Sequence, residues 1–151
     1  MKLICHAFAL LAAVTIVGTA AAPVLADVPG NHPYYSHALA DLRFARALLE
    51  NPADDAVAGD QHRAVYEIDH ALYEIHQASI DDGKKLGDHP PIDVSRPRID
   101  RVREAGHALD KARYDLSHEE SNPGALGWRS RALRHINAAL DRVNSALAQQ
   151  R

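Results

Sequence analysis

The chain has 151 residues, 46% of them hydrophobic, and sets 20 acidic residues against 17 lysines and arginines. That length suits one domain, and a net charge of −3 with no concentrated basic stretch excludes the electrostatic footprint of a nucleic-acid binder. The one cysteine, Cys5, leaves no internal disulfide and no thiolate metal cluster.

Met1-Lys2 is followed by an almost wholly apolar run from Leu3 to Val17 and by small residues from Gly18 to Ala26. Charge, apolar stretch and small-residue end are the order of a secretory signal peptide. Cleavage is expected after Ala26, because a cut after Ala22 would leave Pro23 beside the scissile bond. The apolar run falls short of the ~20 residues that cross a bilayer, so no membrane span is expected once the leader is removed. The sequence thus predicts a signal peptide over residues 1–26, a single domain over 27–151, and a periplasmic or secreted product. That domain carries nine histidines, no cysteine and a net charge near −4.

Asn31-His32-Pro33 opens a first predicted helix, since asparagine caps well and proline is tolerated in the first turn. Tyr35, Ala38, Leu39, Leu42, Ala45, Arg46 and Leu49 follow at three- and four-residue spacing until Asn51-Pro52 ends the run. Asp54 or Asp55 starts a second helix, with Val57, Ala64, Val65, Ile68, Ala71, Leu72, Ile75 and Ser79 on its stripe and Gly83 as terminator. Gly83 to Pro97 reads as a loop. A third helix aligns Ile99, Val102, Ala105, Leu109, Ala112 and Leu116, and Ser121-Asn122-Pro123-Gly124 breaks it. The fourth, about Leu126 to Gln149, aligns Ala132, Leu133, Ile136, Ala139, Leu140, Val143 and Leu147. No segment shows the two-residue alternation of a strand.

The second half repeats the first. Arg63, Ala64, Ile68, Ala71 and Leu72 lie over Arg131, Ala132, Ile136, Ala139 and Leu140 at an offset of 68 positions. At an offset of 67, Ala38, Leu42, Ala45, Arg46 and Leu49 lie over Ala105, Leu109, Ala112, Arg113 and Leu116. The predicted fold is therefore all-α: an antiparallel four-helix bundle of two repeated hairpins, about 33–82 and 98–150, each burying the other's apolar face. Alanine on the stripes favours close helix approach and leaves little space for a large cofactor.

The histidines are the unusual chemical resource. At ~100° per residue, His62, Asp69 and His76 form a row at the edge of the second helix's stripe, with Tyr66 and Tyr73 beside it. Glu67, His70 and Glu74 form a second, outward cluster. Imidazoles and carboxylates at such spacing suit Cu²⁺, Zn²⁺ or Ni²⁺, which makes His62, Asp69, His70, Glu74 and His76 the candidate metal ligands. Glu67-x-x-His70 matches half of a di-iron bundle motif, but the repeat position reads Arg134 to Asn137 and lacks the pair. The competing reading is a solvated helix face held by local charge pairs.

Within the connecting loop, Lys84, Lys85, Asp88 and His89 stand in a segment stiffened by Pro90 and Pro91, and form a candidate interaction loop for an envelope partner. The bland alternative is a crossover between hairpins. No Cys-x-x-Cys-His, no Gly-rich phosphate loop and no Gly-x-Ser-x-Gly elbow is present. An enzyme is not expected.

Asn31-His32-Pro33-Tyr34-Tyr35, Asp41-Leu42-Arg43 and Ala78-Ser79-Ile80-Asp81-Asp82-Gly83-Lys84-Lys85 through Asp88-His89-Pro90-Pro91 resemble a group of exported bacterial four-helix proteins of unassigned function. Ile68-Asp69-His70-Ala71-Leu72 and His135-Ile136-Asn137-Ala138-Ala139-Leu140 are similar, more weakly, to periplasmic small metal-binding proteins. That second resemblance implies a four-helix bundle binding copper, nickel or zinc. The histidines here are sparser than in those proteins.

Overall fold

The computed structural model describes residues 33–50, 56–77, 83–118 and 125–150. The expected leader, the breakers Asn51-Pro52 and Ser121 to Gly124, and the starts at Asn31, Asp54 and Asp55 lie outside them. The apolar stripes become four helices: α1 (Pro33–Leu49), α2 (Ala56–Gln77), α3 (Arg98–His118) and α4 (Leu126–Ala148). No strand occurs among the described residues. None of these helices is long and apolar enough to cross a membrane.

Each helix brings the same buried motif to the centre. Ala38, Leu42, Ala45 and Leu49 in α1 are fully buried, as are Ala64, Ile68 and Ala71 in α2, Ala105, Leu109, Ala112 and Leu116 in α3, and Ala132, Ile136 and Ala139 in α4. Two alanines seven residues apart bracket a large buried aliphatic side chain on each helix, and two (Leu39 and Leu42) on α1, so a branched layer sits between layers that permit close backbone approach. Gly106 extends this on α3, where an added Cβ would stand 3.3 Å from Val143 Cγ1.

α1 packs chiefly on α3 and α2 chiefly on α4; α3 also touches α4, and α1 touches α2. The remaining pairs, α1 with α4 and α2 with α3, lie across the core. Consequently the connection from α2 to α3 joins helices that are not neighbours. Its described part begins at Gly83, whose φ of 70° is a left-handed position that favours glycine. Farther along, Ile92 packs against the core, and Asp93 accepts hydrogen bonds from Ser95 N (3.0 Å) and Ser95 Oγ (2.6 Å). Those bonds pull the Asp93 carboxyl below its ordinary range.

The predicted stripes hold with few exceptions. Val65, Ile99, Leu133 and Leu147 are only half-buried, and Ser79 lies outside the described residues. Periodicity missed Leu48, Ala108 and Ala146, which join the core, and it missed three buried polar residues, Arg43 (2% exposed), Gln61 (1%) and Arg101 (8%). Neither amide atom of Gln61 has a hydrogen-bond partner. An unsatisfied buried amide costs ~1–3 kcal/mol, so Gln61→Leu is expected to stabilise the fold by about 1 kcal/mol or more, read from the urea midpoint at unchanged slope.

Candidate functional site

The residues that carry chemistry gather where α2 meets α4. Glu74, buried on the last turn but one of α2, accepts a hydrogen bond from Arg131 Nε at 2.7 Å. The Arg131 guanidinium in turn lies over the Trp128 ring, 4.0 Å from its centroid, a cation–π contact that covers the flat face of the cation. Two turns back, His135 Nδ1 donates to Glu67 Oε2 at 2.7 Å. The His135 ring stacks on His70, with centroids 5.1 Å apart and planes 20° from parallel, and Tyr66 meets His70 edge-on at 4.4 Å. Toward the far end, Gln149 Nε2 donates to Asp60 Oδ2 at 2.7 Å and Arg142 lies 3.7 Å from Asp60. Partners of Glu74, Glu67 and Asp60 therefore come from progressively later positions of α4.

These contacts revise the outward placement expected for Glu67 and Glu74. Glu74 is buried and Glu67 half-buried under α4. The helical wheel set both far from the stripe of α2, but a wheel does not show that the flank of α4 covers that side.

The five candidate metal ligands are not brought together. His62 and His76 are exposed, Asp69 and His70 are half-buried, and Glu74 is buried. Asp69 accepts a hydrogen bond from Arg46 Nε at 2.6 Å, and Glu74 is held by Arg131. Burial opposes the charge on Arg46, but its bonds to Asp69 and Glu50 outweigh that and raise its pKa further. Among the described residues no group of three or more histidine, aspartate or glutamate side chains is arranged to hold a metal ion.

What α2 does present is aromatic. Tyr66 and Tyr73 are 61% and 55% exposed. They line, with Asp69 and His70, a shallow pocket of about 310 Å³. In the connecting loop Lys84, Lys85 and Asp88 are exposed and His89 half-buried. Asp88 Oδ2 accepts from Lys85 N at 2.7 Å, and His89 Nδ1 donates to the Pro90 carbonyl at 2.8 Å. Leu86, between them, is 47% exposed.

The site thus defines a helical protein with an aromatic, charge-braced surface along one seam. No protein-family model, curated protein or solved structure matches the chain.

Arg131 and Glu74 test the bracing. Arg131→Leu leaves a buried carboxylate without its donor and is expected to cost ~2 kcal/mol. Adding Glu74→Leu should recover most of that loss in a double-mutant cycle followed by chemical denaturation.

Proposed function

We propose that the chain is an exported, non-enzymatic helical-bundle protein that docks another protein of the cell envelope on the tyrosine-bearing face of α2. The observation that carries this is the exposed pair Tyr66 and Tyr73, seven residues apart, flanking a pocket they share with Asp69 and His70. Tyrosine is enriched at the energetic centres of protein interfaces because its flat ring buries large area with little conformational freedom to lose. The floor is already ordered: Arg46 fixes Asp69, and Tyr66 and His135 bracket His70. A preorganised floor lowers the entropic cost of binding. An apolar side chain of the partner fits the pocket. The loop residues Lys84, Lys85, Asp88 and His89 supply a second, polar point of attachment.

The same reading includes the finer architecture. The two hairpins run antiparallel and arose as copies of one hairpin, supported by the matching buried motifs and by the order in which α2 and α4 residues pair. The leader over residues 1–26 and a periplasmic or secreted location belong to it as well, together with the resemblance to exported four-helix proteins.

A photo-crosslinker placed at position 73 in the exported chain is expected to trap one discrete adduct. Tyr66→Ala should reduce that adduct about tenfold or more, the effect of losing an interface anchor. A crosslinker at Lys111 should give none. Equal trapping from both positions, or indifference to Tyr66→Ala, removes the proposal.

A second reading, weak binding of Cu²⁺, Zn²⁺ or Ni²⁺, is favoured by His135, which bonds Glu67 and stacks on His70 across α2 and α4, although as placed the three do not form a ligand set. It requires His70 to leave its stack, so affinity no tighter than about micromolar is expected. Calorimetric titration with Cu²⁺ and Zn²⁺ decides it. Heat identical in the wild type and in His70→Ala/His135→Ala ends this reading.

A further inference from the structure

The start of α3 holds a buried cation that its own helix does not balance. Arg101 is 8% exposed, and its Nε is buried with no hydrogen-bond partner. A guanidinium does not give up its proton, so burial cannot neutralise it, and an uncompensated buried charge is costly. The carboxylates beside it along α3 are committed to other arginines. Asp100 accepts from Arg103 Nη1 at 2.6 Å, and Glu104 accepts from Arg96. On the other helices Asp60 accepts from Gln149, and Glu50 pairs with Arg46.

The position within the helix adds to the imbalance. Arg96, Arg98, Arg101 and Arg103 crowd the start of α3, where the aligned peptide dipoles already place about half a positive charge. Arg98 and Arg101, three residues apart, share a face, and like charges at that spacing repel. The helix springs from Pro97, whose carbonyl accepts from Asp100 N at 3.0 Å and Arg101 N at 3.2 Å. Proline has no side-chain acceptor to cap the first-turn N–H groups, which no helix can satisfy internally. Helical side chains lean toward the N-terminus of their own helix, so the Arg101 guanidinium is aimed back over the turn that carries those N–H groups.

From this we infer that the N-terminus of α3 binds a phosphate group, as the free ion or as an ester. Charge excludes a cationic ligand. The planar guanidinium fork offers parallel donors to two oxygens of one anion, and the first-turn N–H groups take a third. The bound anion supplies the counter-charge that Asp100 and Glu104 do not. The small exposed remainder of Arg101 is its approach from solvent.

The test is an NMR titration of the purified protein with sodium phosphate, with glycerol 3-phosphate and, at matched ionic strength, sodium chloride as parallel arms. Saturable shifts are expected at the Arg101 Nε–H and at the Arg98 and Ile99 amides with the phosphates and not with chloride; the tighter of the two phosphate arms names the source. Arg101→Gln removes an unbalanced charge, so it is expected to remain folded while binding weakens about tenfold or more, as loss of a charged hydrogen bond does. Arg101→Lys, which keeps the charge without the fork, should fall between. Arg134→Gln, at an exposed arginine in the first half of α4, should bind as the wild type does. Four results overturn the inference: no saturation with either phosphate, affinity unchanged in Arg101→Gln, unfolding of Arg101→Gln, which would mark a partner inside the fold, or the same shifts from chloride, which would mark an adventitious ion only.

Discussion

Everything in this molecule depends on alanines that are buried completely at seven-residue spacing. Ala38 and Ala45, Ala64 and Ala71, Ala105 and Ala112, Ala132 and Ala139 all lie at 0% exposure. An alanine contributes almost no width, so the backbones on either side can approach until the neighbouring Leu42, Ile68, Leu109 and Ile136 fill the space between. The same residue costs nothing in side-chain entropy and has the highest helix propensity. One choice therefore serves both the helix and its packing. A larger residue at any of these positions overfills a core that has no flexible methionine to yield.

Close approach has a consequence for chemistry. With the interior given mainly to small and branched aliphatic groups, and Arg43, Gln61 and Arg101 as buried exceptions, several long polar side chains lie at the seams, where one helix's flank covers another's. Glu74 with Arg131 and Glu67 with His135 are such seam pairs between α2 and α4, and Arg46 with Asp69 is the pair that ties α1 to α2. Carboxylates that a surface wheel leaves free for metal are thus occupied by cations of another helix. The surface that remains uncommitted is aromatic on α2.

Repetition in the sequence does not carry over to every contact. Arg46 and Arg113 occupy matching positions, yet Arg46 reaches Asp69 on another helix while Arg113 pairs with Asp110 on its own. Arg63 and Arg131 match likewise, but Arg131 is drawn to Glu74 and Trp128 while Arg63 is exposed. The core residues are common to both halves, so the seams are where they diverge. Like-patterned buried residues on the four helices are compatible with two chemically different faces.

How much of this was legible follows from the range of the forces. Three- and four-residue spacing of Ala, Leu, Ile and Val determined the four helices and nearly the whole core, because burial of an apolar stripe is a local pattern that survives in one dimension. Gly83 reads in sequence as the terminator of α2; the described part of α2 ends at Gln77, and Gly83 holds a left-handed φ of 70° in the loop beyond. Glu74 and His135 were not, since each acquires its partner from a residue 57 or 68 positions away. Gln61 and Arg101 are absent from the predicted apolar stripes, yet the surrounding helices bury them. Which helix covers which flank is settled only when all four pack together, and that arrangement alone decided which carboxylates are bound and which tyrosines face water.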